Sequence, residues 1–208
     1  MADAGPAKMM GTLMVAGMAS GAAIVGIYLL TAPMIERNRA EALERAIYQV
    51  LPGATSQAAF VDNGGQLTGW TKEGAPPKDV EAVYAGFDDG GKFVGFAVPS
   101  EGAGFQDTVG LIYGIDPVKR VMLGMRVLQS LETPGLGDKI IKDQAFVGGF
   151  EGLAVDPEVV SVKKGAKVNP NEIDAITGAT ISSKAVVKII NAGNAKWLDR
   201  LPKTAEAP

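Results

Sequence analysis

The segment Asp174–Thr180 places a carboxylate, two hydroxyls and a glycine directly ahead of a strongly amphipathic stretch. Apolar or small residues then recur at helical spacing, at Val186, Ile189, Ile190, Gly193 and Trp197. This periodicity predicts that Thr180 lies at or just before a helix amino terminus, where unpaired N–H groups and the helix dipole favour a phosphate. A simpler interpretation also fits, because Ser and Thr before a helix usually cap it and Gly178 usually turns the chain.

A second segment, Glu132–Asp138, has the sequence Glu-Thr-Pro-Gly-Leu-Gly-Asp. Pro134 and Gly135 fit the central positions of a type II turn, and Asp138 is placed to cap a short helix. A structural turn alone is enough to explain these residue types. Two glycines beside Leu136 would also let the backbone approach a flat ligand and hold the leucine side chain against it.

The composition narrows the chemistry that these segments can support. The 208 residues include no cysteine and no histidine. This excludes disulfides, iron–sulfur or haem ligation by these residues, most zinc sites, and Cys- or His-dependent nucleophilic catalysis. Redox work would therefore need an organic cofactor. The formal net charge of -3 gives no case for nucleic-acid binding, since no basic stripe is present to neutralise phosphates.

Residues 9–32 contain no charged residue. A helix of this length, rising ~1.5 Å per residue, spans about 36 Å, and a bilayer core is roughly 30 Å thick. A cleaved signal peptide is the competing interpretation, but its apolar region is typically about 7–15 residues long. We therefore predict one N-terminal transmembrane helix after a tail at 1–8. The flanking charges leave its orientation open.

The pattern changes twice after the apolar run. Residues 33–52 combine apolar and charged side chains at helical spacing, which predicts an amphipathic connecting helix. From about residue 55, short β-branched or aromatic runs alternate with Gly, Pro and Asp clusters, which predicts an antiparallel meander. These runs are 58–61, 67–70, 80–87, 92–98, 109–115 and 121–128.

The predicted fold class is α+β, with one N-terminal transmembrane helix followed by a single domain of antiparallel β-sheet and packed helices. The domain is expected to span 53–201 and to include a further strand near 159–162, before a tail at 202–208. Asp88 and Asp89 precede two glycines and fit a hairpin turn better than a metal site, so no metal is expected.

The sequence Asp-x-x-Thr-Gly-Ala-Thr at 174–180 resembles the Asp-x-x-(Ser/Thr)-Gly-Ala-Thr sequence at which a flavin transferase attaches FMN through a phosphoester to the last Thr. The segment 132–138 precedes it in the order expected of one family. With the apolar run in front, the whole chain resembles the G subunit of the Rnf electron-transport complex. The C subunit of the sodium-translocating NADH:quinone reductase is the nearest alternative, and both belong to the FMN-binding domain superfamily.

This resemblance implies a role for each matching residue. Thr180 Oγ would hold the FMN phosphate, and the attachment turn around it would be formed by Thr177, Gly178, Ala179 and Ile181. The residues read by the flavin transferase would be Asp174, Thr177, Gly178, Ala179 and Thr180. The isoalloxazine ring would be bordered by Glu132, Thr133, Pro134, Gly135, Leu136 and Gly137. The family often has a His shortly before Glu-Thr-Pro, where this chain has Gln129-Ser130-Leu131, so no role for that His is transferred.

The resemblance also implies a function and a location. The chain would be a membrane-anchored electron-transfer subunit, without turnover of its own, in a complex that couples ferredoxin and NAD⁺ to transport of Na⁺ or H⁺. Its partners would be the other membrane subunits and the flavin transferase. It would cross a bacterial or archaeal cytoplasmic membrane once, with the globular domain on the extracytoplasmic side.

Two other classes of protein remain as alternatives. One is a structural or assembly subunit that keeps the fold without flavin. The other is an anchored flavin reductase acting on a soluble substrate, although the sequence has no Gly-rich βαβ fingerprint for a nicotinamide cofactor and no obvious acid–base group.

Overall fold

The structure, a computed structural model, describes residues 5–71, 76–77 and 80–206. Residues 1–4 and 207–208, which belong to the two predicted tails, lie outside the described residues. The chain forms two compact units, Met1–Ala42 and Leu43–Pro208.

Four helices and eight strands make up the described chain. The helices are α1 (Pro6–Val50), α2 (Lys139–Lys142), α3 (Gln144–Gly148) and α4 (Thr180–Trp197). The strands are β1 (Ser56–Asn63), β2 (Gln66–Gly69), β3 (Ala82–Phe87), β4 (Phe93–Ala103), β5 (Thr108–Asp116), β6 (Val121–Ser130), β7 (Val160–Val162) and β8 (Glu172–Asp174).

The first unit consists of the amino-terminal part of α1. By length and composition α1 is suited to cross a membrane, and its large apolar side chains, such as Leu13, Ile24 and Leu30, are exposed. The helix continues through Pro33, so residues 32 and 33, on the two sides of the predicted boundary, belong to the same helix. The limits predicted for the domains stay predictions.

The second unit is built on a six-stranded antiparallel sheet in the order β2-β1-β3-β4-β5-β6. The six predicted runs correspond to its strands. The prediction of a simple meander is correct from β3 to β6 and wrong for β2. Because β1 pairs with β2 on one side and with β3 on the other, the short β2 lies at the edge of the sheet.

Both faces of the sheet are covered. Alternate residues of the strands point to opposite faces, so Val98 and Tyr113 enter a core shared with α4, whereas Ala97 and Ile112 pack against Ile47 and Val50 at the end of α1. The predicted buried face of the last helix is confirmed at Val186, Ile189, Ile190, Gly193 and Trp197. These contacts fix α4 on the sheet and so fix the position of its amino terminus.

The strand predicted near 159–162 is present as β7, but its partner β8 was not predicted. The two strands form a small parallel pair in which Val162 is opposite Asp174. The backbone N–H of Ala175 continues the pairing with a 2.8 Å hydrogen bond to the Val162 carbonyl. Asp174 therefore ends a strand, and residues 175–179 connect that strand to α4.

Candidate functional site

The connection between β8 and α4 is held by a buried serine on the helix. Ser183 Oγ accepts a 3.1 Å hydrogen bond from the backbone N–H of Ile176 and donates a 2.9 Å bond to the carbonyl of Ala179. Gly178 lies between these two contacts with a φ of +81°, a conformation that residues with a Cβ rarely adopt. The turn thus has one defined shape, and it presents Gly178 and Thr180 to solvent.

Thr180 is the first residue of α4, as its predicted position required. The capping interpretation is wrong for this helix, because the N-cap is Ala179 and no side-chain cap hydrogen bond is made. Thr180 Oγ donates only a long 3.5 Å bond to the carbonyl of Ile176. The helix therefore begins with an exposed hydroxyl and no side-chain acceptor for its first N–H groups.

The side chain of Asp174 binds the polar loop between β7 and β8. Its carboxylate accepts a 3.0 Å hydrogen bond from the backbone N–H of Gly165. This contact ties the loop between β7 and β8 to the start of the segment 174–180.

The turn predicted in the second segment is confirmed. The N–H of Leu136 donates to the carbonyl of Thr133 at 3.1 Å, and Gly135 has a φ of +79°, as the third position of a type II turn requires. Asp138 is the N-cap residue of the short helix α2, as predicted, but its side chain makes no cap hydrogen bond. Its carboxylate accepts from the N–H of Gly135 at 2.8 Å and contacts Lys142 at 2.5 Å, and Asp143 instead caps α3.

Glu132 joins this turn to α4. The residue is buried, and its Oε2 accepts a 2.6 Å hydrogen bond from the hydroxyl of Ser182. Its Oε1 accepts from the backbone N–H groups of Phe105 at 2.7 Å and Gln106 at 3.0 Å, in the loop between β4 and β5. One carboxylate therefore connects three separate segments.

The protonation state of Glu132 follows from these contacts. Burial by itself raises the pKa of the carboxyl, but the hydrogen bonds from Ser182, Gln106 and Phe105 outweigh it, so the pKa of Glu132 lies below its ordinary value. The group is a carboxylate at neutral pH and a strong acceptor for its donors.

The close packing around Glu132 explains why residue 137 is a glycine. A Cβ at Gly137 would collide with the Glu132 carboxylate and would lie 3.0 Å from Ser182 Oγ. This residue lets the turn approach the start of α4 closely, and any larger side chain would separate them.

Four residues close to Glu132 and its contacts have large apolar side chains that face solvent. They are Phe105, Leu131, Leu136 and Ile181, exposed by 63%, 61%, 54% and 60%. The backbone N–H of Phe105 donates to Glu132. The other three residues are next in sequence to Glu132, Gly137 and Ser182, which pack together. We call these four residues the apolar patch. Exposed apolar groups gathered in this way are typical of a ligand or protein interface.

A cation also lies beside the turn at 175–179. The Lys139 Nζ is 3.6 Å from the position that a Cβ would occupy on Gly178. The residue that follows the turn at 132–138 therefore supplies an ammonium group next to the turn that carries Thr180.

The structure brings the two predicted groups of site residues together. Of the predicted residues, Thr177, Gly178, Thr180, Ile181, Pro134, Gly135 and Leu136 are exposed, Asp174 and Thr133 are partly exposed, and Ala179, Glu132 and Gly137 are buried. The roles assigned to them toward FMN stay predictions. Within the described ranges, no group of three or more acidic residues is placed to hold a metal ion.

Sequence reasoning missed three residues of this site. Phe105 follows Gly104 in the loop between two predicted strands, where an exposed aromatic residue is unusual. Lys139 directly follows the second segment, and Ser182 lies two residues after the first. Position was a signal for Lys139 and Ser182, which lie one and two residues after the predicted segments, whereas Phe105 lies between the predicted strands 92–98 and 109–115 and adjoins no predicted site segment.

The described residues fit a flavin nucleotide. An exposed hydroxyl at an uncapped helix terminus and a nearby ammonium suit a phosphate, and the apolar patch suits a flat aromatic ring. These features define an FMN-binding domain, and the family model with that description matches residues 104–194.

Two relatives identify the family. The chain is 30% identical over 189 residues to the G subunit of the ion-translocating oxidoreductase complex of Methanosarcina acetivorans, covering 89% of this chain and 90% of that protein. It is 34% identical over 170 residues to the G subunit of the Na⁺-translocating ferredoxin:NAD⁺ oxidoreductase complex of Acetobacterium woodii, covering 78% of this chain and 77% of that protein. The chain belongs to this family of G subunits.

Solved structures share the fold. The C subunit of the Na⁺-translocating NADH-quinone reductase from Parabacteroides distasonis has a TM-score of 0.63 at 21% identity, covering 79% of this chain and 94% of that one. NqrC from Shewanella oneidensis has a TM-score of 0.61 at 18% identity, covering 79% and 98%. The predicted fold class, an apolar N-terminal helix with an antiparallel sheet domain and packed helices, is confirmed.

Proposed function

We propose that this chain is a membrane-anchored subunit of an ion-translocating ferredoxin:NAD⁺ oxidoreductase complex, and that it relays electrons through FMN joined covalently to Thr180. The observation that carries this proposal is the exposed Thr180 hydroxyl at the uncapped start of α4. The names of the relatives support the place in a redox complex.

Attachment would replace the hydroxyl proton of Thr180 by the FMN phosphorus. A flavin transferase would supply the FMN group from flavin adenine dinucleotide, with AMP leaving and the proton passing to solvent. A dedicated enzyme is needed because an unactivated Thr hydroxyl is a poor nucleophile, and the chain has no His or Cys to activate it. The exposed turn with Thr177 and Gly178 is accessible to such an enzyme.

When bound, FMN supplies reversible electron uptake and release. The protein's part is to hold the ring and exclude water from it. Phe105 and Leu136 lie on different loops that Glu132 draws together, so their side chains are available to pack on the ring.

The test uses the purified complex with wild-type chain, Thr180→Ala, Thr180→Ser and the control Thr68→Ala, an exposed threonine in β2 outside both predicted segments. We expect Thr180→Ala to leave the complex assembled, to remove flavin fluorescence from this subunit in a denaturing gel, and to abolish ferredoxin-dependent NAD⁺ reduction. Thr180→Ser should retain the flavin. Full activity in Thr180→Ala would reject the relay through this residue, and a subunit without flavin in every variant would favour the structural alternative.

The proposed topology is one membrane crossing by α1 with the second unit on the extracytoplasmic side. The apolar, solvent-exposed character of α1 supports the crossing, and the side is taken from the family resemblance. Since the chain has no cysteine, Lys8→Cys and Asp89→Cys each give a single reactive thiol at an exposed position. A membrane-impermeant maleimide should label the Asp89→Cys variant in intact spheroplasts and the Lys8→Cys variant only after lysis. The reverse pattern would refute the orientation.

A further inference from the structure

Lys139 approaches the attachment turn from a different part of the chain. It begins α2, and its Nζ lies 3.6 Å from where a Cβ on Gly178 would be, two residues before Thr180. Gly178 is exposed with a φ of +81°, so this side of the turn carries no side chain of its own. The ammonium can therefore approach the backbone of the turn closely.

Lys139 makes no ion pair within the part of the chain that the structure describes. Among residues 5–71, 76–77 and 80–206, no carboxylate lies within 4.0 Å of its Nζ, whereas the neighbouring Asp138 contacts Lys142 at 2.5 Å and Gly135 N at 2.8 Å. Lys139 is also partly buried. An ammonium group without a carboxylate within 4.0 Å remains available to bind an anion.

The start of α4 supplies the other side of an anion site. Ala179 provides no side-chain cap, so the first N–H groups of α4, at the end of the helix that Thr180 begins, have no capping acceptor. A phosphoester on that oxygen keeps two non-bridging oxygens and one negative charge. One ammonium from α2 matches that group in charge, and the backbone donors of α4 can bond its oxygens.

We propose that Lys139 binds the non-bridging phosphate oxygens of FMN attached to Thr180 and thereby holds the phosphate against the start of α4. This inference rests on the proposed attachment at Thr180. Lys139 touches the cofactor phosphate and not the flavin ring, so it acts as a binding residue for the linkage.

The experiment compares the full-length chain in detergent, produced with and without flavin transferase, for the wild type, Lys139→Ala, Lys139→Arg and Lys142→Ala. The last variant is the matched control, because it removes the same charge from the same helix while its partner is Asp138. The measurement is the rise in the midpoint of thermal unfolding, Tm, that flavin attachment produces in each variant, at low and high salt.

We expect attachment to raise Tm equally in the wild type, Lys139→Arg and Lys142→Ala. In Lys139→Ala the rise should be smaller by about 2–4 °C, the change expected for losing one modest polar interaction in a chain of this length, and high salt should narrow the difference. The unloaded Lys139→Ala chain should unfold at nearly the wild-type temperature. An equal rise in Lys139→Ala and the wild type would overturn the proposal.

A second readout needs no destabilising variant. The ³¹P resonance of the loaded chain should move in Lys139→Arg and stay in place in Lys142→Ala, and the opposite result would refute the contact. Loss of attachment in Lys139→Ala that Lys139→Arg does not restore would assign the lysine to transferase recognition and also overturn the proposal. A wild-type chain without covalent FMN would be a different result, because it would reject the attachment at Thr180 itself.

Discussion

The hydroxyl of Ser182 donates a 2.6 Å hydrogen bond to the carboxylate of Glu132, a residue 50 positions earlier in the chain. Both residues are buried. The bond joins the turn at 132–138 to the first turn of α4, which begins with Thr180. The two segments singled out by sequence therefore form one site through residues that contribute little to its exposed surface.

Removing the Ser182 hydroxyl should destabilise the second unit. We expect Ser182→Ala to cost about 1–3 kcal/mol, because it leaves a buried carboxylate oxygen without its side-chain donor. The matched control is Ser161→Ala, since Ser161 Oγ is buried and has no hydrogen-bond partner among the described residues. Urea unfolding of the detergent-solubilised chain measures both variants. A Ser161→Ala loss as large as that of Ser182→Ala would contradict the role given to the bond.

The lowered pKa of Glu132 predicts a pH dependence of stability. The folded chain keeps Glu132 ionised to a lower pH than the unfolded chain does, so the unfolded state binds the extra proton first as pH falls. This stabilisation is complete above the unfolded pKa of about 4.3 and is lost as pH drops through the folded pKa.

Glu132→Gln should therefore reduce the loss of stability between about pH 5 and pH 3. Glu151→Gln, at an exposed position, is the control. The free energy of unfolding across this range, from urea titrations, gives the slope for each chain. An unchanged slope in Glu132→Gln would show that the carboxyl is not held as an anion in the folded state.

A side chain at position 178 should destabilise the turn between β8 and α4. Gly178→Ala places a Cβ on a residue with a φ of +81°, which we expect to cost roughly 1–2 kcal/mol and to lower the fraction of chain that receives flavin. Gly148→Ala, in α3 where an added Cβ meets nothing within 4 Å, should be neutral or slightly stabilising. Thermal unfolding and intact-mass spectra give the two readouts. Normal stability and full loading of Gly178→Ala would show that the turn adopts another shape.

The apolar patch should determine the environment of the ring. We expect Phe105→Ala and Leu136→Ala each to increase the access of iodide to the flavin, measured as stronger fluorescence quenching, because the remaining surface would cover less of the ring. Val118→Ala is the control, because Val118 is 61% exposed in the turn between β5 and β6, away from the loops that Glu132 connects. If quenching is the same in all three variants, the ring lies elsewhere.

The sequence predicted the parts of this structure that depend on local patterns. The strands and the buried face of α4 follow from alternation and helical spacing, and the turn at Pro134-Gly135 follows from two residue types. The edge position of β2 and the pairing of β7 with β8 depend on partners distant in sequence, which local periodicity does not specify.

The same distinction applies to the site. Thr180 was placed correctly at the start of a helix, yet the absence of a side-chain cap depends on the backbone at Ala179. The contacts of Glu132 with Phe105 and Ser182 join residues 27 and 50 positions away, and Lys139 reaches Gly178 from another helix. These long-range contacts could be identified only from the folded structure.

The most direct test of the attachment at Thr180 is the intact mass of the chain made in a host with the flavin transferase. The wild type should carry one FMN less one water, fragment spectra should place it on Thr180, and Thr180→Ala should have only the mass of its polypeptide. An unmodified wild-type chain, or a flavin retained in Thr180→Ala, would contradict the assignment of the attachment to this hydroxyl.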